Sequence, residues 1–157
     1  MKIVQTSSDF VREPFLAPFG FKGSYVNVAW QAQATMTSSN GHQGIGSATL
    51  GVLWSDASVF TANSESAGNS MMFLAMSYAL KQAEKKDWKD PLDLLDQLLP
   101  DVYEDSKSIT NNPQLRLTFA LNSLVAVDNA AWQLFCRENN ITSFDDIHFL
   151  PVFCMDP

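Results

Sequence analysis

A chain of 157 residues, 46% hydrophobic and 17% charged, has the composition of a single globular domain with a real core rather than of a disordered segment. Seventeen acidic against ten basic residues leave a formal charge of -7, which argues against a surface built to displace counterions from nucleic acid or from an anionic membrane. No run approaches the roughly 20 apolar residues that cross a bilayer, the start MKIVQTSSDF has no signal-peptide core, and Cys136 and Cys154 form neither a metal-ligand spacing nor a disulfide framework, so a reduced, cytoplasmic protein is expected.

The front of the chain is strand-rich. KIVQTSSDFV, from Lys2 to Val11, reads as a first strand. REPFLAPFGFKGSY follows, and its Pro14, Pro18, Gly20 and Gly23 mark a loop that carries Phe15, Phe19 and Phe21 beside the cation Lys22. Val26, Val28, Trp30, Ala32, Ala34 and Met36 then alternate with Asn27, Ala29, Gln31, Gln33 and Thr35, the period of a half-buried strand with one wet face. Asn40-Gly41 is a strong hairpin signal because both residues tolerate positive φ. The return strand QGIGSATLGVL contains Gly44 and Gly46, which within a strand mark a bulge or a close approach. A small antiparallel meander is the expectation.

LWSDASVFTANSESAGN reads as a second irregular stretch, again with large rings, Trp54 and Phe60. Two aromatic-rich loops point either to a surface that something else covers or to rings tucked beneath their own loops.

Helices fill the rest. Asn69 or Ser70 can cap a helix through MMFLAMSYALKQAEKK, with Met72, Met76, Ala79 and Ala83 on one face and lysines in the last turn. Asp90-Pro91 is a cap followed by a favoured first-turn proline, and Pro100 should end or bend that helix. Asn112-Pro113 offers the same opening for a long helix through LTFALNSLVAVDNAAWQLFCRENN. There Leu117, Leu121, Leu124, Asp128, Ala131 and Phe135 share one face. A carboxylate in that row should be paired, because burying it alone is costly, unless the row is offset and Asp128 lies at its edge. The closing FDDIHFLPVFCMDP has apolar residues enough for one strand.

Chemical motifs are scarce. GIGSATLG lacks the third glycine spacing of a dinucleotide loop and opens no helix. His42 and His148 have no activated serine or cysteine motif to serve. The acids from Asp87 to Asp105 read as a solvated helix face rather than a metal cage.

The order of elements resembles the N-terminal capping domain of the enolase superfamily, in the branch of mandelate racemase and muconate-lactonising enzyme. In that family the long helix carries Ala, Asp, Ala and Trp at the spacing of Ala126, Asp128, Ala130 or Ala131, and Trp132. The family pattern DG-x-x-G-x-G-E resembles NGHQGIGS, with Ser47 where the glutamate is usual and Gln133 where a second aspartate often follows the tryptophan.

The resemblance implies an α+β fold, a three-stranded antiparallel meander followed by a bundle of three to four helices. It runs to about Phe144, which makes residues 1–144 the capping domain and 145–157 a C-terminal tail or the start of a barrel domain. By the same resemblance PFGFKGSY matches the first specificity loop and GVLWSDASVF lies near the second. Phe19, Lys22, Tyr25 and Trp54 are then substrate-binding candidates, Lys22 for an acid-sugar or amino-acid carboxylate. Complete members hold magnesium and abstract a proton next to a carboxylate in a barrel of on the order of 250 residues. No catalytic residue, metal ligand or cofactor of that barrel can be assigned here, and magnesium is implied only for a complete member.

The expected function is therefore the cap of a racemase, cycloisomerase or acid-sugar dehydratase, not catalytic alone. Its implied partners are a barrel domain, a second copy in a homo-oligomer and a small carboxylic acid, with no nucleic acid and no membrane. A stand-alone module binding a small acid or a protein, or a truncated remnant without function, are the alternatives.

Overall fold

Alternation along the second strand sets the frame of the molecule. In a computed structural model that describes residues 1–149, β1 (Ile3–Phe21), β2 (Ser24–Ser38) and β3 (Gln43–Leu50) form an antiparallel sheet in the order β1-β2-β3. Trp30, Ala32, Ala34 and Met36 all point into the core, as their period of two requires. Behind the sheet lie α1 (Val52–Ser55), α2 (Ala57–Asn63), α3 (Glu65–Ala83), α4 (Pro91–Thr110) and α5 (Leu117–Glu138), followed by a 3-10 turn at Phe144–Phe149. The fold is α+β, as the resemblance implies, with three long helices and two short ones among the described residues.

The helix α5 lies directly on β3, and glycine makes that possible. A Cβ on Gly44 would stand 2.0 Å from the Ala130 carbonyl oxygen, and one on Gly46 would stand 2.0 Å from that of Ala126. The two glycines therefore mark close backbone approach, not a bulge. Alanines on both sides of the seam (Ala34, Ala48, Ala126 and Ala130) are buried. Met72, Met76 and Leu80 of α3, Leu94 and Leu98 of α4, and Phe119 and Leu134 of α5 complete the core. The β2–β3 turn follows the Asn-Gly signal, although only Gly41 takes a positive φ, of 84°; its N–H donates to the Ser38 carbonyl at 3.0 Å.

Several expectations give way. β1 does not stop at Val11: REPFLAPFGF continues the strand as far as Phe21. Pairing runs to Pro14 opposite Val28, lapses through Phe15–Pro18, and resumes with Phe19 opposite Val26. Prolines at 14 and 18 read as loop punctuation because neither can donate a ladder bond, but an edge strand tolerates both. The hairpin closes on Lys22 and Gly23, at φ 49° and 76°, the two positive values that a type I′ turn demands.

Trp54 and Phe60 sit on α1 and α2 rather than in a loop. The second helix is capped by Asp56, which accepts from the Ser58 and Val59 N–H groups. Ser64, not Asn69 or Ser70, caps α3 by accepting from Ala67 N–H at 3.2 Å. Asp90-Pro91 opens α4 as expected, yet Pro100 neither ends it nor prevents it from reaching Thr110. Arg116, rather than Asn112-Pro113, precedes the first residue of α5; Asn112 instead accepts from Gln114 N–H at 3.0 Å to form the turn before it. Residues 150–157, with Cys154 and most of the expected terminal strand, lie outside the described residues.

Candidate functional site

The β1–β2 tip and α1 border a cavity lined mainly by apolar side chains. Four sequence candidates fall in this region: Phe19, Lys22 and Tyr25 on the tip, Trp54 on α1. Phe19, Tyr25 and Trp54 are 58%, 65% and 58% exposed, far more than rings that merely tuck beneath their own chain. Phe19 and Trp54 wall a cavity of about 220 Å³ with Phe21, Val26, Leu53 and Phe60. Tyr25 does not line it. Alternation turns its ring away from Val26 and against Gly20, where an added Cβ would meet the ring at 3.4 Å.

Lys22 spans the gap between tip and helix. Its Nζ donates to the Trp54 carbonyl oxygen at 2.9 Å and lies 5.2 Å from the centre of the Phe21 ring. Through that bond the cation serves as a tie as well as a charge. An ammonium has three donors, and two are left after the carbonyl is served.

Two polar residues reach the same cavity, and neither was singled out for it from the sequence. Glu65, the first residue of α3, accepts from the Asn27 N–H at 3.1 Å and the Val28 N–H at 3.0 Å. Asn27 lies opposite the lapse in pairing at Phe15–Pro18, and Val28 at its edge opposite Pro14, so Glu65 takes up donors where the strand partner falls away. Asn69, expected as a helix cap, is buried and accepts from Val52 N–H at 2.9 Å. No sequence signal marks Glu65, because its partners are backbone groups freed by an irregularity in another strand.

Asp128 occupies a second cleft, of about 570 Å³, with Ser47, Trp132, Gln133 and Ile147 around it. The row to which it belongs straddles the helix: Leu124, Ala131 and Phe135 are buried, while Leu117 and Leu121 are exposed. Asp128 is half-buried. Burial pushes its carboxyl above the ordinary range, and a hydrogen bond with the Trp132 side chain pulls partway back. Its Oδ1 is enclosed and has no hydrogen-bond partner among the described residues. The expected pairing is thus half made, through the tryptophan four residues on.

His42 belongs to the turn. Its Nδ1 lies 3.2 Å from Glu138, and that carboxyl is held below its usual range chiefly by hydrogen bonds from Ser38 and Asn40. Among the described residues no three of His, Cys, Asp or Glu cluster as metal ligands. Asp128 stands singly and Glu65 is spent on backbone N–H groups, so the residues present do not fit magnesium, which needs oxygen ligands in an octahedron. No described helix is long and apolar enough to cross a membrane.

No protein-family model matches the sequence, and a search of the curated proteins gives no match. Solved structures do match. L-talarate dehydratase from Polaromonas sp. JS666, complexed with Mg and L-glucarate, aligns over 88% of this chain and 32% of its own, at 17% identity and a TM-score of 0.54. A dipeptide epimerase from Enterococcus faecalis V583, complexed with Mg and the dipeptide L-Leu-L-Tyr, aligns over the same shares at 16% identity and a TM-score of 0.48. A mandelate racemase/muconate lactonizing protein from Herpetosiphon aurantiacus does so at 13% and 0.47. The chain spans about a third of the length of each, and its α+β fold is shared with the matched third of the dehydratase.

Proposed function

We propose that residues 1–144 form the substrate-selecting cap of a larger racemase, cycloisomerase or acid-sugar dehydratase, with 145–157 leading toward its barrel domain. The observation that carries this reading is the coverage: 88% of this chain lies on 32% of a dehydratase that holds Mg and a small dicarboxylic acid. The exposed rings of Phe19 and Tyr25 on the tip and of Trp54 on the neighbouring α1 agree with it, because large apolar groups gathered on a surface mark a place of contact. In this role Phe19 and Trp54 wall the substrate, and Tyr25 stands at the rim. Lys22 fixes the tip to α1 while keeping two N–H groups for a substrate carboxylate. Magnesium and the proton-abstracting groups belong to the barrel, and the cap excludes water and selects the acid. The same reading includes a homo-oligomer and a cytoplasmic setting.

The test is to express the chain with whatever follows Pro157 in its coding frame, and to follow α-proton exchange of a panel of carboxylic acids in deuterated water with magnesium. Exchange by the longer protein, and none by residues 1–157 alone, is the expected result. A longer frame without a barrel, or exchange by 1–157 itself, would overturn the proposal.

A further inference from the structure

The cavity beneath the tip has a chemical character that narrows the class of acid. Its walls are the rings of Phe19, Phe21, Trp54 and Phe60 and the aliphatic side chains of Val26, Leu50, Val52 and Leu53. Both polar residues that reach it are turned to the protein. The Glu65 carboxylate takes the Asn27 and Val28 N–H groups on one oxygen and the Asn27 N–H and Nδ2 on the other. Asn69 gives its carbonyl oxygen to Val52 N–H. What remains for a ligand is the Asn69 amide and the Trp54 indole N–H against eight apolar walls. A chain of hydroxyls entering such a space would leave water for surroundings that return only a few hydrogen bonds.

Size points the same way. The cavity volume of about 220 Å³ exceeds the roughly 150 Å³ at which an aliphatic- and aromatic-lined cavity in another protein stays dry and takes up benzene. Aromatic walls also favour a ring, through offset or edge-on packing.

We infer that this cavity receives an apolar, ring-sized group carried by the acid on which the cap closes, and that it rejects polyhydroxylated acids. As a statement about substrate this rests on the capping proposal; as a statement about the cavity it stands on the walls and the two engaged polar residues.

Residues 1–157 with labelled methyl groups are titrated with benzene and, separately, with L-glucarate. Benzene is expected to shift the methyl signals of Val26, Leu50, Val52 and Leu53 saturably, and glucarate is expected to leave them in place at a tenfold higher concentration. Trp54→Ala removes an exposed wall and should weaken benzene binding at least fivefold while the circular dichroism spectrum is unchanged. Absence of a saturable benzene shift in the unsubstituted chain, or a glucarate shift of the same methyls, overturns the inference. The two proposals fail separately. A longer protein that turns over polyhydroxylated acids would sink the apolar assignment and keep the cap. Benzene binding beside a frame that encodes no barrel would keep the cavity and sink the cap.

Discussion

The seam between β3 and α5 and the tip of the β1–β2 hairpin distribute side-chain volume in opposite ways. At the seam the smallest residues are the most buried: Gly44 and Gly46 face Ala126 and Ala130 with no room for a methyl group. At the tip the largest residues are the most exposed, with Phe19, Tyr25 and Leu16 all more than half accessible. A rule that places large apolar residues inside fails in both places, for different reasons. The seam is limited by how closely a helix backbone can approach a strand. The tip leaves its rings open to solvent, and on the capping proposal they are what it offers to a substrate.

The largest effect should come from Gly46→Ala. The new methyl carbon would sit 2.0 Å from one α5 carbonyl oxygen and 2.4 Å from the Ala130 nitrogen. Both are backbone atoms that cannot turn aside, so the helix itself must lift. Urea unfolding should show a loss of about 3 kcal/mol or more, the upper end for overpacking, or no folded protein. A loss within about 0.5 kcal/mol, as for ordinary surface changes, would mean that the seam is not the constraint described.

An intermediate effect, of opposite sign, is expected at the open side of the seam. Asp128 is held above the ordinary carboxyl range mainly by burial. The folded state therefore keeps this proton more tightly than the unfolded chain does. The charged form is a penalty above the folded value, relieved as pH falls through it and gone below the unfolded value, near about 3.9. Asp128→Asn keeps an acceptor for Trp132 and removes the charge, so it should raise the melting temperature at pH 8 by the equivalent of up to about 1 kcal/mol. The gain should shrink toward pH 4. A lower melting temperature at pH 8 would show that the carboxylate is needed where it stands.

The smallest effect belongs to the tip. Lys22→Ala removes an exposed hydrogen bond to the Trp54 carbonyl and should change stability by no more than about 0.5 kcal/mol. A loss as large as that of Gly46→Ala would merge the two regions into one cooperative unit and erase the contrast.

What the sequence made legible follows the same division. β2 is readable because Trp30, Ala32, Ala34 and Met36 are buried while Gln31, Gln33 and Thr35 between them are more open, and Asn40-Gly41 and Asp90-Pro91 carry their turn and cap chemistry locally. Phe19, Lys22, Tyr25 and Trp54 are candidates through the resemblance of their segments to the family's specificity loops, and rings beside a cation are the only local signal there. The strand through Phe15–Phe21 was missed because its punctuation mimics a loop. α1 and α2, of four and seven residues, are too short to show a period. Glu65 had no local signal at all: its function depends on two N–H groups 37 and 38 residues away, freed by an excursion that only the pairing of β1 and β2 defines.

That same Glu65, taken together with Lys22, decides the mechanics of the cavity's roof. The hairpin is pinned at its root by the carboxylate on Asn27 and Val28, and at its far end by the ammonium on the Trp54 carbonyl. It is a bridge resting on two piers, not a flap on a hinge. From Asn27 to Lys22 the span is five residues, about 17 Å at strand rise. While both piers hold, loads on the rings pass into α3 and α1, and the roof flexes only at mid-span. If the Lys22 pier is cut, the bridge becomes a cantilever whose free end travels about 3 Å for every ten degrees of rotation at the root. A single exposed hydrogen bond, almost silent in the free energy of folding, thus decides whether the tip is held at one end or at two.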